Sequence, residues 1–271
     1  MIFSDVEKPV DRQPWRRHLG REAYILRRRL EWIRNSRLYA RQKVGTQLPF
    51  SLIRHRSTLL RPLRDVEMYL QHNKVTNLRL AIERIDGVVI RPGQTFSIWR
   101  MVGRPTEKRG FLEGLVLSNG RIEKGIGGGL CQLGNLLYWM ALHSPLTVIE
   151  RYRHGYDVFP DINRQIPFAC GATLAYNYID LQLRNDTTDT FQIKLWLDDE
   201  YLQGEILSDR EPEWRYEVYE TDHLIKLQPW GGYTRHNRIW RRQTSLIDGM
   251  TSESLITENH AVMMYSPLLT A

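Results

Sequence analysis

The residue types best suited to chemistry cluster in one stretch, Gly125-Ile126-Gly127-Gly128-Gly129-Leu130-Cys131-Gln132. Three successive glycines cost backbone entropy, so they mark unusual dihedrals or a close approach to the backbone. The run that follows, Cys131 to Leu142, is apolar almost all round through Leu133, Leu136, Leu137, Tyr138, Met140 and Ala141. That is the pattern of a helix buried in a core. Pro145 blocks its continuation beyond His143. Cys131 therefore falls at or near a helix N-terminus, where unpaired N–H groups and the positive end of the dipole favour an anion. For cysteine the favoured anion is the thiolate, the form that attacks carbonyl carbon. Gly128, Gly129 and Gln132 can offer N–H groups to an oxyanion forming beside the sulfur. The Lys-Ser/Thr pair that would make this loop a phosphate cradle is missing.

A nucleophilic thiol needs a base. His154 lies 23 residues on, at the end of a strand expected over Leu146–Tyr152. Its imidazole can take the thiol proton and later give one to a leaving amine. Asp157, or alternatively Asp161 or Asn163, could orient that ring. The plainer readings are that Cys131 is a small buried hydrophobe and His154 a surface residue among Arg151, Tyr152 and Arg153. Cys170, between Ala169 and Gly171, reads as structural, with a Cys131–Cys170 disulfide as the alternative. The other histidines show no metal-ligand spacing, so neither metal nor cofactor is expected. Glu107 and Glu113, and Asp198 to Glu200, read as solvated loops rather than paired acids.

Several elements must position these residues. A basic amphipathic helix is predicted from Glu22 to about Gln42. Thr76 is a plausible N-cap for a second helix, with Leu78, Ala81, Ile82 and Ile85 on one face, ending at Gly87. Val88–Ile90 reads as a buried strand, Pro92-Gly93 as a turn and Thr95–Trp99 as the returning strand. Asn119-Gly120 suits a hairpin joining Leu115–Leu117 to Arg121–Glu123. Ala172–Leu183 and Phe191–Leu197 read as a hairpin around the polar Asn185–Thr190 loop. Leu202–Leu207 and Trp214–Tyr219 continue a β-rich half, with a turn at Pro229–Gly232. Helices first and strands later indicate an α+β fold.

Pro92-Gly93-Gln94-Thr95-Phe96-Ser97, Val102-Gly103, Gly110-Phe111 and the glycine-cysteine stretch form one ordered set. Glu150-Arg151-Tyr152-Arg153-His154 and Tyr176-Asn177-Tyr178-Ile179-Asp180 extend it. The set resembles the VanW domain family, over roughly residues 75–210. That resemblance implies a central Cys-helix/His-strand core (75–210), which the pattern readings above flank with a basic helical N-terminal region (1–74) and a β-rich C-terminal extension (211–271). The family takes its name from glycopeptide-resistance clusters, and some exported multidomain members act as cysteine L,D-transpeptidases on peptidoglycan. By position the motif cysteine is Cys131 and the motif histidine His154. The implied activity is acyl transfer or peptidase action on a peptidoglycan stem peptide or precursor, with Arg151 or Arg104 holding a substrate carboxylate. The alternative is a non-catalytic accessory or binding protein of glycopeptide resistance or cell-wall metabolism.

Composition bounds the setting. The chain has 271 residues, 42% hydrophobic and 25% charged, which excludes a disordered or fibrous class. No run of eighteen apolar residues occurs, and the polar first 21 residues lack a secretory signal, so the sequence reads as cytoplasmic. Residues 1–75 carry 17 Lys/Arg against 7 Asp/Glu, within an overall net charge of +7. A basic N-terminal helix of this kind suits an anionic membrane surface. Nucleic acid is the remote option, because no nucleic-acid-binding motif accompanies the arginines.

Overall fold

The computed structural model describes residues 13–60, 67–118, 120–158 and 166–268. Helix α1 (Pro14–Arg34) carries Pro14 in its first turn, where the missing N–H costs nothing. It starts and ends earlier than the sequence predicts. Asn35 closes it, Ser36–Leu38 make one 3-10 turn, and the next residues are drawn into tertiary bonds. Ala40 N–H donates to the Thr95 carbonyl, and the buried Tyr39 donates its hydroxyl to Glu31.

Helix α2 (Met68–Ile85) also begins earlier, so Thr76 lies inside it and is not its cap. Leu70, Leu78, Ala81, Ile82 and Ile85 form one continuous buried face, and packing on that face outweighs the local capping signal. Helix α4 (Cys131–Leu142) is as apolar as expected, with eight of its residues buried. A short helix α3 (Ile98–Val102) replaces the end of the strand predicted over Thr95–Trp99. Ser97 caps it by accepting from the Arg100 N–H.

Strands dominate this α+β fold. One antiparallel sheet runs β1 (Phe50–Thr58), β10 (Tyr201–Ser208), β9 (Phe191–Leu197), β2 (Val88–Ile90). Another runs β3 (Thr95–Ser97), β8 (Gln182–Arg184), β6 (Thr147–Glu150). The strands either side of Pro92-Gly93 thus belong to different sheets, as do those either side of Asn185–Thr190. Neither predicted hairpin forms. The buried Asn185 explains the second loop: its amide donates to the Ile90 and Asp189 carbonyls, and its side-chain oxygen accepts from Thr187. The hairpin of β4 (Glu113–Ser118) and β5 (Arg121–Ile126) does form, although Asn119 lies outside the described residues. Three long strands, β11 (Trp214–Leu227), β12 (Tyr233–Ser245) and β13 (Thr251–Met263), make a meander, with β7 (Tyr156–Asp157) parallel at its edge.

One apolar cluster joins these parts. It includes Trp32 of α1, Leu59 after β1, the buried face of α2, most of α4, and Ile193, Leu202 and Ile206 of the first sheet. Burial of this much apolar surface, at about 25 cal/mol per Å², is the main force holding α4 in place. No helix among the described residues is long and apolar enough to cross a membrane.

Candidate functional site

The turn that launches α4 is built by backbone proximity. Gly114 in β4 and Gly128 lie so close that a Cβ on either would overlap the other's backbone. Gly129 adopts φ +89°, and a Cβ there would run into the Lys74 side chain. The loop is clamped from α2 by Asn77, which is fully buried. Its amide donates to the Leu112 and Gly128 carbonyls at 3.0 and 2.9 Å, and its oxygen accepts the Leu112 N–H at 2.8 Å.

Counting the donors in this turn changes the expected oxyanion group. Gly127 N–H donates to Leu112, Gly128 N–H to Gly125, Gly129 N–H to Leu115 and Gln132 N–H to Gly129. The N–H groups of Gly128, Gly129 and Gln132 are therefore spent inside the fold. Those of Leu130 and Cys131 have no carbonyl acceptor among the described residues, and the Cys131 N–H faces its own sulfur. Two adjacent backbone donors thus lie beside the thiol. The Gln132 side chain is occupied too, donating to Ser57 Oγ and the Thr58 carbonyl at the end of β1.

Cys131 is the first residue of α4 and half-buried. Its thiol donates to the Leu174 carbonyl at 3.9 Å, a weak sulfur hydrogen bond. Burial pushes the thiol pKa up from its ordinary value. The helix N-terminus alone would favour the thiolate, but desolvation of the charged form wins here. The resting group is a neutral thiol. Cys131 and Cys170 form no disulfide with each other.

His154 is half-buried, and burial lowers its pKa, leaving a neutral imidazole at neutral pH. Its segment does approach that of Cys131: Thr173 N–H donates to the Tyr152 carbonyl, and Leu174, next in sequence, accepts the thiol. The ring itself makes no hydrogen bond or charge contact with Cys131 among the described residues.

The remaining expected residues divide. Asp157 does not orient His154; its buried carboxylate accepts from Arg235 at 3.3 Å and from the Tyr265 hydroxyl at 2.8 Å. Asp161 and Asn163 lie outside the described residues. Arg151 is not available to a ligand as expected, because its guanidinium donates to the Ala169 and Gly171 carbonyls and stacks on Tyr138. Arg104 is the accessible arginine. Its side chain is about half exposed and meets Glu22 only at 3.7 Å. It lies beside the Tyr176 ring, and the adjoining Pro105 packs against Gly127. Nothing local in α2 marks Asn77 as the partner of a loop 51 residues away. Among the described residues, no group of three or more His, Cys, Asp or Glu is placed to hold a metal ion.

The glycine loop, Cys131 and α4 all lie within the segment that matches a known family. Residues 73–207 match the family described as VanW like protein. This chain belongs to the VanW family. It is similar to the vancomycin B-type resistance protein VanW of Enterococcus faecalis, with 36% identity over 209 residues, 77% of this chain and 76% of that protein. It is also similar to the uncharacterized protein YoaR of Bacillus subtilis, with 27% identity over 118 residues, 44% of this chain and 37% of that protein. No solved structure matches the chain.

Proposed function

We propose that this protein works on cell-wall-type peptides in glycopeptide resistance or cell-wall metabolism, as a cysteine-dependent acyltransferase or peptidase. The observation that carries this reading is the pair of N–H groups, Leu130 and Cys131, that have no carbonyl acceptor among the described residues and stand next to a thiol at a helix N-terminus. In the reaction, Cys131 Sγ attacks the carbonyl carbon of an L,D-peptide bond in a stem peptide. The oxyanion rests on the Leu130 and Cys131 N–H groups. The thiol proton passes to the neutral His154 imidazole and then to the departing amine, which leaves as the terminal D-residue. A neighbouring amine, or water, resolves the thioester and regenerates the thiol. Arg104, beside the glycine loop, holds the substrate carboxylate. His154 and Cys131 must come together when substrate binds, because catalytic hydrogen bonds often tighten only in that complex.

A second reading rests on the desolvated neutral thiol and its lack of contact with His154. On that reading the protein keeps the fold and serves as a non-catalytic accessory that recognises a precursor. Incubation with tetrapeptide muropeptides, analysed by mass, separates the two. The enzyme forms an acyl adduct on Cys131 and releases the terminal residue, and Cys131→Ala and His154→Ala both lose adduct and product. Product formation by Cys131→Ala would refute the mechanism. Binding without turnover by the unaltered protein would establish the accessory role.

A further inference from the structure

Helix α1 uses one face to hold the domain and leaves another face open. Ile25 and Trp32 are buried, and Arg28 makes a two-pronged ion pair with Glu150 at 2.6 and 2.8 Å. These contacts fix the helix's rotation. About a third of a turn away, Trp15, Leu19, Leu26, Leu30 and Ile33 fall within an arc of roughly 60° at 3.6 residues per turn. All five are more than half exposed, from 56% to 73%. Five large apolar side chains in one stripe with no partner among the described residues exceed the scattered exposure normal for a protein surface.

Charge identifies the occupant. Between Pro14 and Arg34 stand seven arginines and two glutamates, a net +5. Arg27 and Arg34 border the stripe on one side and Arg29 on the other, all exposed. Glu22, at the stripe's margin, is turned to Arg21 and Arg104. A second copy of this helix packed on the stripe would set arginine against arginine along both seams. A layer of anionic headgroups over hydrocarbon accepts both features: leucines and Trp15 enter the acyl boundary, and arginines reach back to phosphate. We propose that α1 docks this protein in the plane of an anionic lipid bilayer, with the Trp15–Ile33 stripe facing the membrane. This inference is independent of the chemistry at Cys131.

Cosedimentation of the full chain with vesicles tests it. Phosphatidylcholine containing about 30 mol% phosphatidylglycerol is compared with phosphatidylcholine alone. The expected result is binding to the anionic vesicles only, weakening with salt. Arg27→Gln/Arg34→Gln should lower partitioning by about 25-fold, at about fivefold per arginine near an anionic surface. Leu26→Ser/Leu30→Ser should reduce it by at least about 50-fold. All four side chains are exposed, so unchanged thermal melting checks that each variant folds. Equal binding to both vesicle types, or none, would overturn the proposal. So would self-association without lipid that the leucine pair abolishes, which assigns the stripe to a second copy. Retention of duplex DNA binding by the leucine variant, with no vesicle binding by the unaltered protein, would reassign the arginines to nucleic acid.

Discussion

Replacing Asn77 with alanine should be among the costliest single changes available near the site. The truncation removes three hydrogen bonds at 2.8–3.0 Å from a fully buried side chain. The Leu112 carbonyl keeps the Gly127 N–H, so two backbone groups are orphaned, the Gly128 carbonyl and the Leu112 N–H. At about 1–3 kcal/mol for each, with a small cavity added, the loss comes to about 3–5 kcal/mol. For a chain of this size that lowers Tm by roughly 10 °C or more. Asn73→Ala, one turn earlier, is the control, because its amide makes an exposed bond to the Glu113 carbonyl and its loss should cost under about 1 kcal/mol. Asn77→Asp sharpens the test. A carboxylate there faces two carbonyls in a buried site, so its folded pKa rises above the unfolded value of about 3.9. Its stability is then greatest below about pH 4 and falls as pH rises, the reverse of an ordinary paired aspartate. Thermal denaturation at pH 5 and pH 8 reads both effects. An Asn77→Ala loss below about 1 kcal/mol, or an Asp variant indifferent to pH, would show that the clamp on the glycine loop lies elsewhere.

Three further outcomes are expected. Without substrate, Cys131 should resist iodoacetamide at neutral pH and label only as pH rises above the range of an ordinary cysteine, because burial raises its pKa. Complete labelling at mildly acidic pH would contradict the desolvated thiol. His236, buried in β12 against His260 Nδ1 at 2.8 Å and Thr234, is held down to about 4 by burial and then by its neighbouring imidazole. The native state binds fewer protons there than the unfolded chain, so its contribution is whole above about pH 6.5 and lost as pH falls toward 4. His236→Gln should flatten that part of the Tm–pH profile, and an unchanged slope would refute the assignment. Among the described residues, Arg28→Ala leaves Glu150 with Gln182 and the Asp180 N–H, and it should loosen α1 by about 2–3 kcal/mol. Limited proteolysis should then cut within residues 14–34 first; an unchanged digestion pattern would mean that Ile25 and Trp32 suffice.

Local pattern carried some of this architecture and not the rest. The all-round apolar run after Cys131 reads as a buried helix and forms one, and the glycines before it signal unusual dihedrals or a close approach, which the positive φ of Gly129 and the contact of Gly114 with Gly128 supply. Which strands pair was another matter. Pro92-Gly93 and Asn185–Thr190 are good turns, but a turn signal cannot say that the two flanking strands enter different sheets. The ends of α1 and α2 shifted for a related reason, since Ala40 bonding to Thr95 and the long buried face of α2 are tertiary effects. At the site, helix-end electrostatics argued for a thiolate while burial, visible only once the core is assembled, decides for the neutral thiol. Proximity in sequence points Asp157 at His154, but Arg235 and Tyr265, from much later in the chain, bond its carboxylate.

The recognisable 73–207 segment is not self-sufficient. Strand β1, residues 50–58, precedes it, yet lies along β10 from Phe50 opposite Ser208 to Thr58 opposite Tyr201 and supplies the acceptors for Gln132. A recombinant fragment cut at the motif's own borders would expose a naked ladder of amides and carbonyls along β10, ready to recruit the same edge of another molecule. Expression boundaries drawn upstream of Phe50 should give monodisperse protein where boundaries drawn at residue 73 give aggregates.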